Sequence, residues 1–139
     1  MGTPTVYLCG AINGRPDSEC KDWREYVKRR YAGAAIDPMS RDYRGREDEC
    51  VSEIVDLDKA DIDACGALLV YYDKPSVGTS MEILYAFERG KPVILVDASA
   101  AELTPQFASV KRSLSPWLKY HSHSIYQSID AAIAALAAL

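Results

Sequence analysis

No apolar run in the 139-residue chain approaches the roughly 20 residues that a membrane-spanning helix needs; the strand-like stretch 66–72 is far too short. Positive charge is not in excess. Sixteen lysines and arginines against 20 aspartates and glutamates leave a formal charge of −4, so no global field draws the chain to nucleic-acid backbones or anionic membranes. The four cysteines, Cys9, Cys20, Cys50 and Cys65, contain no Cys-x-x-Cys pair, which suits reduced thiols better than a zinc site or a disulfide framework. Histidine is scarce: His121 and His123 would share a face of an extended segment, but without a third ligand no metal is expected. The first residues, 1–6, carry neither the apolar block of a signal peptide nor a serine or threonine at position 6 for myristoylation. The expectation is a soluble, cytoplasmic protein.

Two phosphate cradles are also missing. There is no Gly-x-Gly-x-x-Gly, and Gly90-Lys91-Pro92 precedes a strand instead of opening a helix, so nicotinamide chemistry and nucleoside triphosphate hydrolysis lose their support. What is present is a composition of 48% hydrophobic and 26% charged residues, enough for a core in one domain spanning 1–139. Apolar runs alternate with helical periodicity from end to end. Strands are expected at 5–9, 33–37, 67–72, 92–96 and 124–126, and helices at about 17–31, 46–63, 78–89, 101–113 and 127–139. This alternation predicts an α/β fold, a single doubly wound five-stranded parallel sheet of the flavodoxin/Rossmann-like kind with helices on both faces. Ligands in such a sheet bind beyond the carboxyl ends of the strands, which directs attention to the segments 10–16, 37–45 and 73–82.

Three side chains in those regions can carry chemistry. Thr79-x-x-Glu82 reads as a capping box, with Thr79 as N-cap and Glu82 reaching back to its N–H; spacing alone favours that structural role. The functional alternative is a carboxylate kept ionised by the helix N-terminus and available as a nucleophile. On the second helix, Val51, Ile54, Val55 and Ile62 form an apolar stripe flanked by Cys50 and Leu57, and Asp58 falls near its middle. An acid at a core-facing position is costly without a partner or a proton. Asp56 points away, and Asp61 can act as a solvated helix-end acid. Tyr7, inside the first strand, is either a large half-buried side chain or the orienter of a carboxylate.

The segments Thr5-Val-Tyr-Leu-Cys-Gly-Ala-Ile12, Leu57-Asp-Lys-Ala-Asp-Ile62 and Pro75-Ser-Val-Gly-Thr-Ser-Met-Glu-Ile-Leu-Tyr-Ala86, with Gly90-Lys-Pro-Val93, resemble the nucleoside 2-deoxyribosyltransferase superfamily. That superfamily includes nucleoside 5′-monophosphate N-glycosidases. The resemblance implies that Glu82 is the nucleophile, against the capping role that spacing favours. It implies that Asp58 is the second catalytic acid and that Tyr7 orients Glu82. It also implies substrate contacts at Gly10, Ile12, Gly78 and Met81, and a base contact near Asp42. No cofactor and no metal are implied, because two carboxylates can carry glycosidic cleavage through an oxocarbenium-like state.

One position departs from the transferase pattern. Six residues before Glu82, where nucleoside transferases carry an aspartate near the sugar, stands Ser76; the monophosphate glycosidases resemble it there. A hydroxyl in place of a carboxylate removes repulsion against a phosphate dianion, and Arg15 can add a charge-assisted contact. The first expectation is 2-deoxyribose transfer between nucleobases. The close alternative is 5′-monophosphate N-glycosidase activity, and the more distant one is a non-catalytic nucleotide sensor or receiver-like module with Asp73 as its acid. The expected partners are a small nucleoside or nucleotide, a nucleobase, and further copies of the chain in a homo-oligomer with shared sites, completed by residues around 117–124.

Overall fold

The computed structural model describes residues 2–99 and 114–139. The elements follow the expected alternation: β1 (Val6–Gly10), α1 (Asp17–Arg30), β2 (Ala35–Ile36), α2 (Val51–Ala64), β3 (Ala67–Tyr72), α3 (Val77–Glu88), β4 (Val93–Asp97), α4 (Pro116–Tyr120), β5 (Ser124–Tyr126) and α5 (Ile129–Ala137). The expected helix at 101–113 lies outside the described residues. The short α4 is not among the expected elements; Ser115 caps it with Pro116 at its first position, a start signal carried by only two residues.

The five strands form one parallel sheet in the order β2-β1-β3-β4-β5. Every residue of β1 and the first four of β3 are buried, as expected where helices cover both faces. Alternate residues serve two cores. Tyr7, Cys9, Leu68, Val70, Val93 and Leu95 pack with Ile62 of α2, Ile83 and Ala86 of α3, and Leu118 of α4. Val6, Leu8, Ala67, Leu69, Ile94 and Val96 pack with Trp23 and Val27 of α1 and Ala132 and Leu136 of α5. Among the described residues no helix is long and apolar enough to cross a membrane.

Two local features shape the carboxyl end of the sheet. β2 is only two residues long, and its pairing with β1 stops at Tyr7 opposite Ile36. The apolar stripe expected on α2 is buried only at Ile62; Val51, Val55 and Leu57 are exposed. The helix meets the sheet through its C-terminal turns, and its first half stands clear of the core.

Candidate active site

The chain leaves β1 toward β2 on one side and returns to β3 on the other, so β1 and β3 flank the point where strand order reverses. A cavity of about 340 Å³ opens there, lined by the loop Gly10–Asn13 with Arg15, by Ile54 and Asp58 of α2, and by Pro75–Thr79 and Glu82 of α3. That is the location the parallel-sheet rule gives for a ligand.

α3 begins earlier than the sequence pattern indicates. Ser76, extended at φ −144° and ψ 120°, is the N-cap and accepts from the Thr79 N–H; its hydroxyl also donates to Thr79 Oγ1 at 3.0 Å. The expected capping box is therefore absent. Thr79 lies inside the first turn, and Glu82 lies in the second turn, too far along the helix to reach back to the cap. Its side chain descends instead toward the end of β1. Glu82 is half-buried as a residue, but its Oε2 is enclosed and without a hydrogen-bond partner.

Burial raises the Glu82 pKa to about 8, and the charge of Asp58 adds to the rise; Tyr7, Arg24 and Cys9 act against it. The expectation of a carboxylate held ionised by the helix terminus is thus corrected: desolvation outweighs the dipole, which fades within the first turn. Asp58 is also raised, by burial first, with the Arg41 guanidinium opposing. Arg41 Nη2 lies 3.3 Å from Asp58 Oδ1 and 2.6 Å from Asp61 Oδ2. The core-facing acid therefore has its partner, supplied by the segment after β2.

Tyr7 lies beneath the cavity, fully buried. Burial first, and then Glu82, pushes its phenol far above the usual range. The phenol is close enough to lower the Glu82 pKa, yet its hydroxyl has no aligned hydrogen bond. Two buried polar atoms, the Tyr7 hydroxyl and Glu82 Oε2, are thus left unsatisfied beside one another, an exception to the rule that buried polar groups are paired.

The remaining expected residues divide. Gly10, Ile12, Arg15, Ser76 and Gly78 line the cavity with Asp58 and Glu82. A Cβ on Gly10 would meet the Trp23 ring at 2.6 Å, so this glycine also allows the indole to pack, whereas a Cβ on Gly78 would meet nothing within 4 Å. Met81 does not line this cavity; it faces a second one of about 270 Å³ with Tyr72, Trp117 and His121. Asp42 is also absent from the lining. Its carboxylate takes Arg44 at 3.0 and 2.8 Å, and that guanidinium, which also binds Asp17 at 2.5 Å, holds it at about 2. Arg15 is paired with Asp73 at 3.0 Å and with Glu19 at 2.7 Å. Asn13, Ile54 and Pro75 also line the cavity although none of them was expected as a substrate contact.

The other candidates take structural positions. Asp73 is engaged by Arg15 through both of its oxygens, and His123 Nδ1 accepts the Val93 N–H at 2.9 Å. Among the described residues no group of three His, Cys, Asp or Glu side chains could hold a metal.

A family profile described as nucleoside 2-deoxyribosyltransferase matches residues 6–132. Among solved structures, the chain is similar to a 2-deoxyribosyltransferase from the psychrotolerant bacterium Bacillus psychrosaccharolyticus, with TM-score 0.57 and 14% identity over 92% of this chain and 95% of that one. It is also similar to a CMP N-glycosidase from Clostridium botulinum, with TM-score 0.53 and 21% identity over 95% of this chain and 97% of that one. Both likenesses are of fold. No curated protein sequence matches the chain.

Proposed function

The chain belongs to the nucleoside 2-deoxyribosyltransferase family and is an enzyme of the N-glycosyl transferase and N-glycosidase class; from that premise we propose that it cleaves the N-glycosidic bond of a nucleoside 5′-monophosphate. The carrying observation is the placement of Ser76. Its side chain caps the N-terminus of α3 at the cavity wall, with Gly78 beside it and Arg15 across from it, and Glu82 lies one turn deeper. A helix N-terminus with a hydroxyl and a guanidinium, and no unpaired carboxylate, receives a phosphate well.

Arg15 is already paired, and the cost of recruiting it decides whether this is feasible. Its bond to Glu19 is a partly exposed i,i+4 contact, of a kind worth about 0–1 kcal/mol. A dianion can replace that partner at small cost while Asp73 continues to hold the guanidinium in place.

In the reaction, the Glu82 carboxylate attacks the anomeric carbon as the bond to the base nitrogen breaks, and Asp58 gives its proton to the departing base. Water, deprotonated by Asp58, then attacks the anomeric carbon and releases sugar phosphate with Glu82 restored. The two acids share one proton in the reactive state. Burial raises both acids and the charge of Asp58 raises Glu82 further, which supports that pairing. Tyr7, below Glu82, orients it. The exposed Val51, Val55, Val77 and Met81 around the helices that wall the cavity support a homo-oligomer in which a second copy closes the site.

Transfer of 2-deoxyribose to a second nucleobase is the other reading. The ion pairing of Arg15 favours it, because an unphosphorylated sugar would leave both bonds intact. Incubation with deoxynucleosides and with their 5′-monophosphates, each with and without a second free base, separates the two. Release of free base and sugar phosphate from monophosphates alone supports hydrolysis. Formation of a new nucleoside from the added base overturns it in favour of transfer.

A further inference from the structure

Arg24 is the one charged side chain among the described residues that is fully buried. Burying a guanidinium is costly unless its donors are used. None of the residues assigned to catalysis explains why it is there.

The geometry around β1 supplies the reason. The Val6 N–H bonds to Ala34 on the β2 side, and residues two apart along a strand direct their backbone groups to the same side. The carbonyls of Leu8 and Gly10 therefore face β2 as well. β2 pairs no further than Ile36 opposite Tyr7, so these two carbonyls have no strand to meet. Arg24 reaches them from α1: Nη2 donates to Gly10 O at 3.0 Å and Leu8 O at 3.4 Å, and Nη1 donates to Cys20 O at 2.6 Å. Nε makes no hydrogen bond but lies 3.5 Å from Asp37, the residue at which the chain leaves β2. Lys28 grips the same carboxylate at 2.5 Å.

We propose that Arg24 is a positioning residue: its guanidinium stands in for the missing length of β2, holds the cavity end of β1 in place, and fixes a positive charge behind Glu82 and Asp58. The exchange has a functional sense. Ending β2 early frees the segment 37–46, which delivers Arg41 to Asp58, while Gly10 keeps its place in the cavity wall. The titratable groups around Glu82 are Tyr7 and Cys9 from β1, Asp58 from α2 and Arg24 from α1; Tyr7 and Cys9 are neutral and Asp58 is itself paired with Arg41, so at Glu82 the cation that counters the effect of Asp58 is Arg24. Asp37 in turn offsets Arg24. The catalytic consequence rests on the proposed role of Glu82 as the reacting carboxylate.

The test follows the Glu82 carboxyl by carbon NMR in the full chain with labelled glutamate, Glu82→Gln identifying the resonance, beside the pH–rate profile. Arg24→Met should move the Glu82 titration upward by about one pH unit, while Arg24→Lys, which keeps the charge, moves it much less. Asp37→Asn should move it downward, because asparagine still accepts the Met39 N–H that Asp37 accepts but no longer offsets Arg24. If Arg24→Met fails to fold, Asp37→Asn decides when combined with Lys28→Met, which removes the other cation on that carboxylate. A Glu82 titration unmoved in the folded variants overturns the proposal, even if activity falls, since that is what a purely structural arginine would do. A titration that moves while the pH–rate profile stays put supports the role of Arg24 and instead removes Glu82 as the reacting group.

Discussion

Asp58 of α2 and Glu82 of α3 face one cavity from two helices, and after burial the charge of Asp58 is the largest influence raising Glu82 to about 8. Two acids so arranged cannot both ionise cheaply near neutral pH, so the last proton is retained by the pair. Retaining one proton between a nucleophile and a proton donor is what two-carboxylate glycosidic cleavage needs.

Glu82→Gln should abolish turnover and raise stability at alkaline pH. The folded pKa of about 8 lies above the ordinary 4.5, so the native state binds more protons than the unfolded chain between those values. Stability is therefore fully present below about pH 4.5 and is lost as pH rises through 8. Glutamine mimics the protonated form and escapes that loss. Thermal melts at pH 5 and pH 9 should show the variant gaining on the native protein as pH rises, by an amount on the order of a few kcal/mol. Equal gaps at both values would mean that Glu82 is not desolvated.

Tyr7→Phe separates an orienting phenol from a packing ring. The hydroxyl is buried without an aligned hydrogen bond, so its removal should leave the melting temperature unchanged or slightly higher. If the phenol positions Glu82, kcat should fall by about 10- to 100-fold without a matching rise in KM. Because the phenol lowers the Glu82 pKa, the alkaline limb of the pH–rate profile should also move upward. Full activity would leave Tyr7 with packing alone.

Asp58→Asn removes the proposed proton donor while keeping the shape of the side chain. The rate should fall by about 10²- to 10⁴-fold for an ordinary base, and less for substrates whose base departs without protonation. A uniform loss across leaving groups would assign Asp58 to positioning. With no second acid to share the proton, the alkaline limb near pH 8 should disappear and the residual rate should instead rise as Glu82 ionises, with a midpoint below 8 because burial is then the main remaining cause of its raised pKa.

Ser76→Asp tests the proposed phosphate contact. Aspartate is as good an N-cap as serine, so α3 should still start at Val77 and the melting temperature should hold. Two negative charges brought together at the cavity wall should weaken 5′-monophosphate binding by about 100-fold or more while sparing the unphosphorylated nucleoside. Equal loss for both substrates would place the phosphate elsewhere.

Much of this arrangement was legible along the chain. Alternating apolar and amphipathic segments marked all five strands, and helical spacing singled out Asp58 as an acid on a core-facing stripe. The same spacing could have found Arg24, which shares the buried stripe of α1 with Cys20, Trp23 and Val27. An arginine in such a stripe reads as a charge to be explained. The capping pattern misled because Ser76 and Thr79 are both acceptable caps three residues apart, and local spacing cannot say which starts the helix. Asp42 takes Arg44 two residues on, a local contact, whereas Asp17 of α1 joins that guanidinium only through the fold, so spacing gave no sign of it.

The sequence by itself determined the alternating architecture and the identity of its unusual polar residues, since periodicity and side-chain chemistry are local properties. Only the tertiary structure decided that the Glu82 carboxylate is enclosed rather than capping, that Arg41 pairs with Asp58, and that Arg24 takes the β1 carbonyls left unpaired by the short β2. Those outcomes depend on desolvation and on contacts between segments far apart in the chain, which no local pattern records.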